Sequence, residues 1–292
     1  MIVENAPATS ATHLMVSADE TDQNIVDMWL AQRPRSTTRS YKRAWGYLQS
    51  ATGGVELRAL RFHHLQAYIQ SLRGMKLSSQ GTFIAVIKSL LGFASKIGYL
   101  TFNLGALLKP PKSPSDVAQR IVGEADIQRL VALTSKPRDA TLLRLAYVSG
   151  LRIAELSALK WRCFALRENG AVLSVVGKGS KLRHIFLPEH IAMAVAALRE
   201  SAPDGAPIFL SRHNKPLSIN RMHMIVKHAA QRAGLPPTFS MHWCRHAHAS
   251  HAMDRGAPVH VVQQTLGHAS LATTCRYVHC KPGASSAQFI VE

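Results

Sequence analysis

KPPKSPSDVAQ, residues 109–119, is the stretch that decides how this chain is divided. Its three prolines fix their own φ and remove backbone donors, and with two lysines and small polar residues they hold the backbone near polyproline II. The stretch reads as a linker, in a chain whose 292 residues already suggest two domains. Upstream, STTRSYKRAWGYLQSA (36–51) sets Tyr41, Ala44, Trp45 and Leu48 at helical spacing, with Arg39, Lys42 and Arg43 on the opposite side. RFHHLQAYIQSLRG (61–74) repeats the pattern with Leu65, Tyr68, Ile69 and Leu72. From Ser78, read as an N-cap, to Gly98, read as a C′ residue, a long helix carries Phe83, Val86, Ile87, Leu90, Leu91, Ala94 and Ile97. Residues 1–21 lack either period and read as a flexible tail, so residues 22–108 form a small all-helical domain.

Downstream, GEADIQRLVALT and PRDATLLRLAYVSG read as two helices, the second ending near Gly150. AVLSVV and LRHIFL flank GKGSK (177–181) and indicate a hairpin with a glycine-rich turn. Helical patterns then cover 189–200, 218–233, 240–254, 258–266 and 270 to about 278. The expected fold class is mainly α with a small β-hairpin or sheet (α+β), with a second domain over 120–280 and a C-terminal tail over 281–292.

The charge balance narrows the function. Lys and Arg number 35 against 17 Asp and Glu, a net +18, yet residues 1–32 hold five acids and no Lys or Arg. The folded body therefore carries all the excess cations, which suits a polyanion, nucleic acid being the commonest. With 47% hydrophobic residues the chain is not a disordered polyelectrolyte. No run approaches the roughly 18 consecutive apolar residues of a membrane span, and the N-terminus lacks the pattern of a secretion signal. Four cysteines are too few to staple this length, which fits a reducing cytoplasm.

Nucleotide and metal signatures are weak. GKGSK fails as a P-loop, with Val172 where the first Gly belongs and Gly179 after the Lys. Residues 205–291 contain Asp254 as their sole acid, too few for a two-metal nuclease. The Cys and His of HWCRHAHASH with Cys275, His279 and Cys280 match no paired zinc-ligand spacing, so buried thiols and satisfied imidazoles are the favoured reading. No metal and no cofactor is expected.

What remains is a set of cations and one nucleophile candidate. Offsetting charge on a pentacoordinate phosphorus without metal requires fixed donors, and guanidinium groups present two parallel N–H bonds each. Arg152 lies at the start of a helix RIAELSAL; Arg245 has His242 three residues earlier on the same helical face. Lys178 at the hairpin tip suits protonation of a departing 5′ oxygen, with Lys181 as its competitor. Of six tyrosines only Tyr277 follows Arg152, in the segment that also holds Arg245 and His268. Its phenol needs nearby cations or a base to attack phosphorus.

Taken singly, each of these has a plain structural explanation; their order does not. GLRIAEL, GKGSK, HWCRH (242–246), LGHAS and RYVH resemble the signature blocks of the tyrosine recombinases, the phage-integrase and Xer type, over residues 22–280. The resemblance implies Arg152 and Arg245 as phosphate-binding arginines, Lys178 as general acid, His242 and His268 as assisting histidines, and Tyr277 as nucleophile. It implies a SAM-like core-binding helical domain and a catalytic domain that together clamp a DNA duplex, and a homotetramer on two double-stranded recombination sites. It further implies a site-specific recombinase working through a 3′-phosphotyrosyl link without metal or ATP. This chain departs from the family at Cys244, where an aliphatic residue usually precedes the second arginine, and at Cys163, where an acid is common. Rival readings are a type IB topoisomerase-like enzyme that relaxes DNA and a non-catalytic DNA-binding protein. With no basic arm-binding domain ahead of residue 22, a simple recombinase is expected. Phe289, Ile290 and Val291 at the C-terminus dock either into a neighbouring subunit or onto their own domain.

Overall fold

The computed structural model describes residues 16–17, 19–111, 120–177 and 181–275. It separates into two compact units between Pro114 and Ser115.

In the first unit, helices α1 (Asp22–Ala31), α2 (Arg35–Thr52), α3 (Phe62–Ser71) and α4 (Leu77–Lys96) enclose one core. Thr21 caps α1 by accepting from the Asn24 N–H. The Asp22 carboxylate ties that end down, accepting from Tyr99 Oη at 2.7 Å and from the Leu57 N–H at 2.8 Å. On α2, Ala44 and Leu48 are buried while Arg39, Lys42 and Arg43 are exposed, as the spacing of their types requires. α4 begins two residues earlier than the sequence suggests: Lys76, in extended backbone, is the N-cap and Ser78 lies inside the helix. Gly98 follows it with φ +81, a left-handed conformation that glycine adopts without strain. By length and mean hydropathy alone α4 is long and apolar enough to cross a membrane, although its longest unbroken apolar run is Phe83–Ile87. Its Ile87, Leu90, Leu91 and Ala94 are fully buried against the other helices, the behaviour of a core helix.

The second unit runs α5 (Glu124–Ala132), α6 (Pro137–Ser149), α7 (Ile153–Ser157), strands β1 (Phe164–Arg167), β2 (Gly170–Val176) and β3 (Leu182–Pro188), then α8 (Glu189–Ala196), α9 (Ile219–Arg232), α10 (Met241–Asp254), α11 (Val259–Leu266) and α12 (Leu271–Cys275). The three strands form an antiparallel sheet in sequence order, with Val176 opposite Leu182 and Gly170 opposite Pro188. Ala171, Leu173, Val175, Ile185 and Leu187 point into the core, and Leu182 and Phe186 point away from it. β1 went unread because only Phe164 of its four residues is buried, so no alternation marks it. α8 stops at Ala196 rather than 200: the Leu198 and Arg199 N–H groups bond three residues back, to Val195 and Ala196, and Glu200 then takes a positive φ of 45°. α10 packs along α6 at the centre, which places the first turn of α10, the end of α6 and the end of α11 near one another.

Candidate active site

The site is built on the C-terminal ends of two helices. The last carbonyls of a helix have no partner within it and form the negative end of its dipole, so they attract cationic donors. α6 ends at Gly150 and α11 at Gly267, both with left-handed backbone, φ +59 and +63. Arg245, on α10, bridges the two ends: Nη1 donates to the Gly150 carbonyl and Nη2 to the Leu266 carbonyl, each at 2.6 Å. Its side chain is almost wholly enclosed, at 1% exposure. A Cβ at Gly267 would press on the Arg183 side chain, 3.2 Å from Nη1. A methyl at Gly150 would sit 2.5 Å from Leu266 Cδ2 and 3.0 Å from His248 Cδ2.

Three successive carbonyls at the end of α11 each meet a different arginine. Thr265 accepts from Arg183 Nε at 2.9 Å, Leu266 from Arg245, and Gly267 from Arg152 Nη2 at 3.5 Å. The next residue is His268, whose Nδ1 lies 2.9 Å from Thr274 Oγ1 and so anchors α12 beside the site. Arg152 stands just ahead of α7. Its N–H donates to Glu155 Oε2 at 2.9 Å, which closes the helix start, and its guanidinium remains 38% exposed.

The imidazoles sit in this cationic field. His268 is pushed down to about 4, first by burial and then by Arg245 and Arg152. His242 is lowered by desolvation of its ring and by the same two arginines with Arg120. His246, packed edge-to-face against His242 at 4.4 Å between ring centroids, falls to about 4 mainly through burial. All three are neutral at pH 7 and present lone pairs or N–H groups without added charge. The structure thus brings Arg152, Arg245, His242 and His268 into one field. Lys178 and Tyr277 lie outside the described residues, as do His279, Cys280 and Phe289–Val291. The neck of the hairpin is described, with the Gly177 N–H donating to the Lys181 carbonyl at 2.9 Å. Tyr277 is three residues beyond Thr274 in the sequence.

Two residues of this network escaped the sequence reading, Glu155 and Arg183. Arg183 Nη1 and Nη2 donate to the two Glu155 oxygens at 3.1 and 2.8 Å. Burial raises the Glu155 pKa, but the Arg183 bonds, the Arg152 N–H and both positive charges outweigh it and the net shift is downward.

The sequence profile of the phage integrase family matches residues 116–283, more than half of the chain, a span that holds Arg152, Lys178, His242, Arg245, His268 and Tyr277. This chain belongs to the phage integrase family. It is a tyrosine recombinase, an enzyme of DNA breakage and rejoining. The tyrosine recombinase XerC of Xylella fastidiosa strain 9a5c is 32% identical over 246 residues, covering 81% of each chain. The XerC of Xanthomonas axonopodis pv. citri strain 306 is 31% identical, covering 80% of this chain and 78% of its own. Among solved structures, a lambda integrase tetramer bound to a Holliday junction superposes with a TM-score of 0.71 at 19% identity, covering 88% of this chain and 77% of that one. At that identity the likeness concerns the integrase fold.

Proposed function

We propose that the chain is a site-specific recombinase that cuts and rejoins DNA through a 3′-phosphotyrosyl intermediate, with Arg152, Lys178, His242, Arg245, His268 and Tyr277 as its catalytic residues and no metal or nucleotide cofactor. The observation that carries the reading is the ladder at the end of α11, where consecutive carbonyls hold Arg245 and Arg152 immediately ahead of His268. Two guanidiniums and two neutral imidazoles in one field offset the charge that builds on a pentacoordinate phosphorus.

The steps balance without an external energy source. Tyr277 Oη attacks the scissile phosphorus, its proton passing to a neutral imidazole, and the 5′ oxygen departs with a proton from Lys178. The 5′ hydroxyl of a partner strand then attacks the phosphotyrosine, returning a proton to Lys178, and the phenol leaves with the proton held by the imidazolium. The number of phosphoester bonds is conserved throughout. The exposed Arg39, Lys42 and Arg43 support a DNA-binding role for the helical unit, residues 22–108, with 109–119 as linker and 120–280 as catalytic domain. We assign four protomers to two recombination sites; lambda integrase relatives are described as a dimer on a core site and as a tetramer on a Holliday junction. Free Cys163, Cys244 and Cys275 suit a reducing cytoplasm.

The test is a nicked duplex carrying the sequence that the protein selects from a randomised DNA pool. A covalent protein–DNA adduct forms in EDTA and disappears in Tyr277→Phe; an adduct that persists in this variant removes Tyr277 from the mechanism. Relaxation of supercoiled DNA that lacks the site would favour a topoisomerase, and site binding with no adduct a non-catalytic protein.

A further inference from the structure

Glu155 lies within reach of two arginines, and the structure divides its attention unequally. Arg183 holds both carboxylate oxygens, at 3.1 and 2.8 Å, and is itself fixed by its Nε bond to Thr265. Arg152 touches the same carboxylate with one side-chain nitrogen at 3.2 Å. The exposures follow suit: Glu155 8%, Arg183 11%, Arg152 38%. Arg183 is boxed in as well. A Cβ added at Gly177 would lie 3.0 Å from its Nη1, and one at Gly267 would lie 3.2 Å from the same atom. A guanidinium packed this closely between the hairpin neck and the end of α11 has no freedom to choose another partner.

We propose that Arg183 is a positioning residue that occupies the Glu155 carboxylate and thereby leaves the Arg152 guanidinium available for the scissile phosphate. A buried carboxylate demands a paired cation. Without Arg183, the nearest guanidinium able to satisfy Glu155 is Arg152, which a rotation of its side chain would turn from a single contact into a bidentate pair. Arg152 would then be withdrawn from the substrate by its own helix-capping acid. The argument rests on Arg152 as a phosphate ligand, and the test separates the two.

Single-turnover adduct formation is measured at saturating nicked duplex, with DNA affinity measured separately, for Arg183→Gln, Glu155→Gln, the double variant and Arg152→Gln. Loss of one preorganised donor to a reacting oxyanion costs about 10²-fold in rate, and that is the deficit expected for Arg183→Gln, with affinity changed by no more than about threefold. Glu155→Gln keeps an acceptor for the Arg152 N–H and removes the charge that competes for its side chain. The double variant should therefore recover to within about tenfold of the parent. A double variant as slow as Arg183→Gln overturns the proposal, and so does a rate deficit in Arg183→Gln that is matched by a loss of folded protein in urea unfolding, because neutralising the partner of a buried ion pair rescues a purely structural arginine as well. Full activity in Arg152→Gln would instead overturn Arg152 as a phosphate ligand. If Arg183→Gln does not fold, Arg183→Lys decides: it keeps a cation for Glu155 and should stay within about tenfold of the parent, whereas a loss of about 10²-fold refutes the counter-ion role.

Discussion

Arg245 should matter to the fold as much as to the reaction, and Arg245→Met tests this. Methionine keeps an aliphatic stem but has no donors, so the change removes the guanidinium's hydrogen bonds and leaves a small cavity where its planar head sat. Both acceptors, the Gly150 and Leu266 carbonyls, belong to helix ends and lie around a side chain only 1% exposed. An orphaned buried acceptor costs about 1–3 kcal/mol, so losing both partners removes roughly 2–6 kcal/mol. Relief of repulsion among Arg245, Arg152 and Arg183 works against this, but Glu155 offsets Arg183 and the 38% exposed Arg152 is screened by solvent, so the hydrogen-bond loss dominates. Arg152→Met is the control. That side chain is 38% exposed and its side-chain contacts lie at 3.2 and 3.5 Å, so its loss is worth less than about 1 kcal/mol. Equilibrium urea unfolding followed by far-UV circular dichroism, compared across the two variants, reads the difference. Equal stability of the two variants, or an Arg245→Met deficit under about 1 kcal/mol, refutes the reasoning.

Two further outcomes follow from the same geometry. Gly150→Ala combines a φ of +59 with a methyl 2.5 Å from Leu266 Cδ2, so it should destabilise by about 1–3 kcal/mol in thermal unfolding, while Gly46→Ala, with open space around it, should not. His246, with a folded-state pKa of about 4 against 6.5 unfolded, resists protonation in the fold; stability is therefore greatest above pH 6.5 and declines as pH falls toward 4. At about 1.4 kcal/mol per pH unit, His246 contributes up to roughly 3 kcal/mol to this decline, and His246→Asn should flatten the unfolding profile between pH 7 and 4.5; an unchanged slope assigns the acid sensitivity elsewhere.

How far the sequence could be read depended on the range of the interaction. The α2 and α4 stripes and the β2–β3 hairpin were legible because periodicity and turn chemistry act over a few residues. Cap positions were less so: Lys76 rather than Ser78 begins α4, since the backbone turns where the packed core requires it. Arg152, His242, Arg245 and His268 were singled out by order and spacing. Glu155 and Arg183 carried no such signal. Arg183 meets its partners 28 and 82 positions away, separations that no local pattern encodes.

The sequence by itself determined which segments are helical, where the cations accumulate and which family's blocks the chain carries, because each is a property of residue type and near-neighbour spacing. Only the tertiary structure decided that a strongly basic residue, Arg245, is interior, and that Arg183, Arg245 and Arg152 from three separate segments meet the carbonyls of Thr265, Leu266 and Gly267 in turn. The physical reason is the unsatisfied end of α11. A buried helix terminus must find donors from outside itself, and which donors arrive is settled by how distant elements pack.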